Sequence, residues 1–127
     1  MRILPPVAYE AIASLLRNYD VGIALYKNTN LNNYYCAPNK VYDYLMSGMP
    51  VIANDYPGLR KVIEHWRLGA CVEDITPALF RQAVERIVLE KRWHNITDEI
   101  RRKYSWERQE EILLELFAAS HPGILGM

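Results

Sequence analysis

The chain has 127 residues, 50% of them hydrophobic and 24% charged, which suits one globular domain with a real core. Its 15 basic and 15 acidic side chains cancel, so composition gives no support for a nucleic-acid partner, and no apolar run is long enough to span a bilayer. The start lacks the basic and apolar regions of a signal peptide, and two cysteines, Cys36 and Cys71, offer neither a disulfide framework nor metal-ligand spacing.

A reducing cytoplasm is therefore the expected setting, with no Cys36–Cys71 bridge. Arg2-Ile3-Leu4 could be the end of a strand, which Pro5-Pro6 would break. Tyr9 to Asn18 reads as a helix with Ile12, Leu15 and Leu16 on one face. Asp20 to Tyr26 is almost continuously apolar after Asp20, the pattern of a strand buried on both faces. Lys27 to Ala37 is the longest break in the pattern. It carries Asn28, Asn30, Asn32 and Asn33, then Tyr34 and Tyr35. It would leave the carboxyl end of a strand, the edge where open α/β sheets bind ligands. Asparagine amides and tyrosine rings suit a sugar there, and a flexible polar loop is the plainer alternative.

The stretch from Cys36 to Asp55 organises the rest. Pro38 suits the first turn of a helix. Val41, Tyr44, Leu45 and Gly48 recur at helical spacing and would face a sheet. Gly48 suits a left-handed helix end, Pro50 breaks the chain, and Val51-Ile52-Ala53 reads as a buried parallel strand. Asn54 and Asp55 would emerge at its carboxyl end.

The start of this helix carries a partial positive charge of about half a unit. Lys40 adds a full charge there, which is unfavourable unless an anion is near. Asp43, three residues on, lies on the same side. A diphosphate on the helix N–H groups and Lys40, with Asp43 on a ribose, would make a nucleotide site. The alternative is a surface helix with a Lys40–Asp43 ion pair.

Further on, Pro57 to His65 reads as a helix with Leu59, Val62, Ile63 and Trp66 inward, and His65 as a solvated end residue. Gly69 to Val72 is a short strand. Thr76-Pro77 is a cap followed by proline at the first helical position. The helix from there to Lys91 has Leu79, Phe80, Ala83, Val84, Ile87 and Val88 at core spacing. Asn95-Ile96-Thr97 is formally a glycosylation acceptor, which means little without a secretory signal. Trp93 to Tyr104 reads as a charged helix whose Arg101-Arg102-Lys103 run is a solvated face. Ser105 to Ala119 is a last helix with a stripe of Ile112, Leu113, Leu116 and Phe117, ended by His121-Pro122-Gly123 and followed by a short apolar tail. Strands alternating with helices argue an α/β fold: a Rossmann-like parallel sheet with helices on both faces.

Pro38-Asn39-Lys40-Val41-Tyr42-Asp43-Tyr44-Leu45, followed by Ser47-Gly48-Met49-Pro50-Val51-Ile52-Ala53, resembles a signature of the two-lobed, B-type glycosyltransferases. It is most similar to the retaining nucleotide-sugar transferases of glycosyltransferase family four. Leu4-Pro5-Pro6-Val7, Asp20 to Tyr26, Gly58 to Ile63 and Ser105-Trp106 fit neighbouring segments of that family's donor-binding lobe. The resemblance implies that residues 1–127 are a single, partial, C-terminal donor-binding domain, truncated of the acceptor lobe and of the donor lobe's first strands. It implies binding of a nucleoside-diphosphate sugar and its transfer to an unknown acceptor, with retention, without a metal or other cofactor. Pro38, Asn39, Lys40, Asp43 and Tyr35 would bind the nucleotide sugar. Lys40 would also be catalytic, stabilising the leaving diphosphate. Many members carry paired glutamates around this helix; their positions fall here on Asp43, one methylene shorter, and on Tyr35, which is not acidic.

By the same resemblance the helix over 105–119 would dock on another body, either the missing acceptor lobe or a second copy of the chain. The 127 residues alone would be inactive, and the full enzyme could sit peripherally at a membrane. A non-catalytic Rossmann-like interaction module or remnant is the main rival. A nucleotide-sugar epimerase shares the two-lobed fold. A receiver-like domain is a weaker rival, because Tyr26-Lys27 stands where its phosphoacceptor aspartate should be.

Overall fold

A computed structural model describes residues 1–123; the apolar tail expected beyond Gly123 lies outside the described residues. The chain falls into two compact units, one up to Ile96 and one from Thr97 on. In the first, helix α1 (Tyr9–Leu16) precedes strand β1 (Gly22–Ala24). A short helix α2 (Leu31–Tyr34) leads to α3 (Asn39–Met46) and β2 (Val51–Asn54). Then come α4 (Pro57–Ile63), β3 (Gly69–Val72), α5 (Pro77–Leu89) and a 3-10 turn over Arg92–Asn95. The second unit holds α6 (Asp98–Lys103) and α7 (Trp106–Ser120).

The three strands form one parallel sheet in the order β1-β2-β3. Ile23, Ile52 and Ala70 are register partners and share one face. Ile52, Ala70 and Val72 pack with Ala83 and Ile87 of α5 into the core on that side. Tyr44 of α3 lies against Gly22, on the opposite face. Right-handed crossovers put α4 on the same side as α3. The sheet thus has helices on both faces, as expected of a Rossmann-like α/β fold. Central β2 is wholly buried, which explains its unbroken apolar run.

Local signals account for the element ends. Gly48 has φ +76°, the left-handed geometry that closes α3. Thr76 accepts a hydrogen bond from the Leu79 N–H, and Pro77 opens α5. Gly22 has a different reason to be glycine. A Cβ there would clash with the Tyr44 ring, so a bare backbone lets α3 settle on β1.

Several expectations need correction. Pro38 is the residue before α3 rather than in its first turn, with extended φ −71° and ψ 135°. Residues Arg2 to Leu4 form no strand, and β1 is only three residues long. Ile23 is 45% exposed, because α5 packs on β3 and β2 and leaves that side of β1 uncovered. Trp66 falls beyond α4 and is part-exposed, edge-on to His65. Val88 is exposed, and α5 ends at Leu89. The helix expected over Trp93–Tyr104 is broken. Lys91 adopts a left-handed conformation, the 3-10 turn follows, and Thr97 caps a separate α6 by accepting from the Ile100 N–H.

The break has a physical cause. Turning the chain after α5 carries Arg92 inward, where its side chain is 5% exposed. Its Nη1 donates to the Gly69 carbonyl at 2.5 Å and to Glu64 Oε2 at 3.1 Å, and its Nε donates to Glu90 at 2.8 Å. Glu64 also accepts from the Cys71 N–H at 2.7 Å and from Arg86 at 2.6 Å. The outer edge of β3 is therefore bonded to side chains, not to another strand. Burial works against the Arg92 charge, but hydrogen bonds to Glu90 and Glu64 outweigh it and hold its pKa above the ordinary range.

The second unit is built from capped helices. Asp98 and Glu99 open α6 and Arg101 to Lys103 close it, which complements the helix dipole. Ser105 caps α7 by accepting from the Arg108 N–H. Along α7, Leu113, Leu116 and Phe117 are all exposed, and the His121 ring stacks on Phe117. No helix among the described residues is long and apolar enough to cross a membrane.

Two stability outcomes follow from Arg92. Arg92→Met leaves Glu64, Glu90 and the Gly69 carbonyl without their shared donor. Urea unfolding should show a loss of about 1–3 kcal/mol, the cost of leaving the buried Gly69 carbonyl unsatisfied, since Glu64 and Glu90 keep Arg86 and Arg67 as donors. The Glu90 carboxyl is held below its ordinary pKa of 4.5, chiefly by the hydrogen bond from Arg92. A depressed carboxylate adds stability above its unfolded pKa and loses it as pH falls through the folded value. Melting temperature should therefore drop below about pH 4.5, and Glu90→Gln should flatten that drop. An equally steep acid limb in the variant would remove Glu90 from the explanation.

Candidate functional site

The carboxyl ends of β1 and β2 meet the start of α3, and the groups there are held from the backbone outward. Asn54, the last residue of β2, is 4% exposed, and its Oδ1 accepts the Tyr26 N–H at 2.5 Å. The Tyr56 hydroxyl donates to the Tyr26 carbonyl at 2.8 Å. Burial, with Cys36 and Tyr34 close by, raises the Tyr56 pKa, so this hydroxyl keeps its proton. Tyr26 is thus pinned on both of its peptide groups.

Its ring lies beneath a charge that the sequence singled out. Lys40 Nζ lies 4.6 Å from the centroid of the Tyr26 ring, a cation–π arrangement. Pro38 precedes α3 and supplies no side-chain acceptor to the helix's first N–H groups. Asn39 is exposed beside Lys40.

The loop before α3 is folded on itself by local hydrogen bonds. Asn30 caps α2 by accepting from the Asn33 N–H, and the Asn33 amide donates to the Lys27 carbonyl at 3.0 Å and to Thr29 Oγ1 at 3.3 Å. These two asparagines are engaged in folding the loop. Asn28 and Asn32 are exposed, as is Asn30. Tyr35 ends α2, is 65% exposed and meets Tyr34 edge-on at 4.9 Å. Tyr34 in turn lies 5.2 Å from Tyr56. Tyr26, Tyr34, Tyr35 and Tyr56 form an aromatic wall at this edge.

Asp43 faces elsewhere. No ion pair with Lys40 is seen among the described residues, so the two charges remain available for separate partners. Asp43 lines a cavity of about 270 Å³ between α1 and α3, with Tyr9, Glu10, Arg17, Met46 and Ser47 on its walls. Lys40 and Asp43 thus have different surroundings on one helix, the Tyr26 ring for one and the cavity beside α1 for the other.

Other candidates drop away. Burial pushes the Cys71 thiol up to about 12, with the Glu64 and Asp55 carboxylates adding to the effect, so it is a poor nucleophile. Both cysteines are free thiols. His65 is an exposed residue after α4. Asp55, at the end of β2, pairs with Arg60. No cluster of three or more His, Cys, Asp or Glu that could hold a metal occurs among the described residues.

Sequence reasoning named Lys40, Asp43, Tyr34 and Tyr35 as candidates but did not single out Tyr26 or Tyr56 as parts of the edge that holds Lys40. The available signal was a tyrosine closing one strand and another just after the next. No protein-family model matches the chain, and neither does any curated protein or solved structure.

Proposed function

We propose that residues 1–96 form the donor-binding portion of a sugar-nucleotide transferase, which holds a nucleoside-diphosphate sugar for transfer to an acceptor. The observation that carries this reading is the divergence of two charges on α3 that do not pair with each other. Lys40 lies at the carboxyl edge of the sheet, where such folds bind ligands. Asp43 opens onto the cavity beside α1. A diphosphate at Lys40 and a ribose at Asp43 would bridge these spaces, with the base towards Pro6 to Tyr9. The likeness of Pro38-Asn39-Lys40 and Asp43 to the family-four signature points the same way.

On this reading Lys40 and the first N–H groups of α3 stabilise negative charge on the departing diphosphate, where it develops. Asp43 accepts hydrogen bonds from ribose hydroxyls. Pro38 and Asn39 shape the turn, and Tyr35 offers a hydroxyl and an aromatic edge to the sugar in place of a glutamate. Retention and independence of metal come with the resemblance. The two free thiols suit a reducing cytoplasm. One observation favours a second reading, a non-catalytic interaction module: Leu113, Leu116 and Phe117 lie exposed along α7. The two are compatible if α7 docks on an acceptor-binding lobe or a second copy.

Calorimetry with uridine, guanosine and adenosine diphosphates tests the donor site. Lys40→Ala should weaken the best of them by about 1.5–3 kcal/mol, the range for a charge-assisted hydrogen bond. Asp43→Asn should weaken the nucleotide but not inorganic pyrophosphate. Absence of binding to all three nucleotides would overturn the donor-site reading.

Transfer itself needs both reactants held in register, and orientation is a large part of catalysis. The 127-residue chain should therefore bind donor yet form no glycoside in a product assay. Product above a Lys40→Ala control would show that these residues also bind the acceptor.

A further inference from the structure

We infer that Tyr26 is a positioning residue for Lys40, an inference that rests on the donor-site reading and adds a residue to it. A lysine in the first turn of a helix is electrostatically misplaced, since the helix end is already positive. Here the Tyr26 ring offers its negative π-face to the ammonium at 4.6 Å. The ring can serve as a fixed plate because its backbone is held twice. The Asn54 side chain takes its N–H, and the Tyr56 hydroxyl bonds its carbonyl. Both partners sit at the carboxyl end of β2, so the plate belongs to the rigid sheet and not to the loop after β1.

The arrangement keeps Lys40 at the sheet edge before any ligand arrives. An anion then meets an ammonium that has already lost much of its rotamer freedom. Tyr26 makes this contribution through its ring alone, so Phe should replace it and Leu should not. Because the two anchoring bonds use backbone atoms, Tyr26→Leu retains them.

Reductive ¹³C-methylation of the chain, with the Lys40 signal assigned through its loss in Lys40→Arg, reads the geometry directly. The Lys40 methyl resonance should lie upfield of the other lysines in the parent and in Tyr26→Phe, by ring current, and return to the common position in Tyr26→Leu. Titration with inorganic pyrophosphate reads the consequence. Tyr26→Leu should bind about two- to five-fold more weakly than the parent, while Tyr26→Phe binds equally well, with the same melting temperature in all three. A Lys40 resonance unmoved by Tyr26→Leu, or pyrophosphate affinity equal in the Leu variant and the parent, would overturn the inference. A parent chain with a shifted Lys40 signal that binds no pyrophosphate would instead overturn the donor-site reading, and with it the role of Tyr26 in that site.

Discussion

One buried guanidinium ties together pieces of the first unit that are far apart in sequence. Arg92 bonds the beginning of β3 through the Gly69 carbonyl, the residue after α4 through Glu64, and the end of α5 through Glu90. Glu64 carries the tie further, to the Cys71 N–H and to Arg86. The charge is unfavourable to bury, and its geometry offsets that cost: each carboxylate it meets has a second donor, and its remaining hydrogen bond goes to a backbone carbonyl. With β3 held, β2 is fixed in the middle of the sheet, and Asn54 is delivered to the spot where it captures Tyr26.

The edge where a ligand would bind is thus the far end of a chain of constraints. Asn54 and Tyr56 hold Tyr26, Tyr26 holds Lys40, and α3 sets Asp43 three residues beyond, over the cavity. Aromatic rings make up most of the wall. Tyr35 is exposed and Tyr26 and Tyr34 are half-buried, while Tyr56 lies beneath them with its hydroxyl bound to the Tyr26 carbonyl. The asparagines that looked free in the sequence are partly consumed in building the loop, where Asn30 and Asn33 bond to its own backbone.

Much of the fold was legible because its signals are local. Gly48 and Pro50 mark the end of α3, Thr76-Pro77 the start of α5, and Ser105 the start of α7; each acts on atoms within a turn of itself. The apolar run Val51-Ile52-Ala53 was legible because a central parallel strand is buried on both faces. What could not be read depends on residues distant in the chain. Arg92 sits in an otherwise polar segment, and nothing nearby reveals that it turns inward to meet Glu64 and Gly69. Likewise, Lys40 and Tyr26 lie in different elements, and only the sheet brings them together. Ile23 looked like core because its neighbours are apolar. Its exposure reflects where α5 lies, a tertiary fact.

The two sides of the sheet end differently. Gly69 and Cys71 point their outward backbone groups at Arg92, Glu64 and Arg86, so the rim at β3 is finished. At the other rim, Gly22 turns its N–H inward to the Pro50 carbonyl, and alternation directs Ile23 outward, where its carbonyl accepts from the Tyr44 hydroxyl at 3.3 Å. Val21-Gly22-Ile23-Ala24-Leu25 also carries none of the charges or prolines that usually guard a bare rim. Among the described residues no strand lies beside β1, whereas side chains already occupy the backbone groups beside β3, so the sheet is asymmetric in where it could be extended.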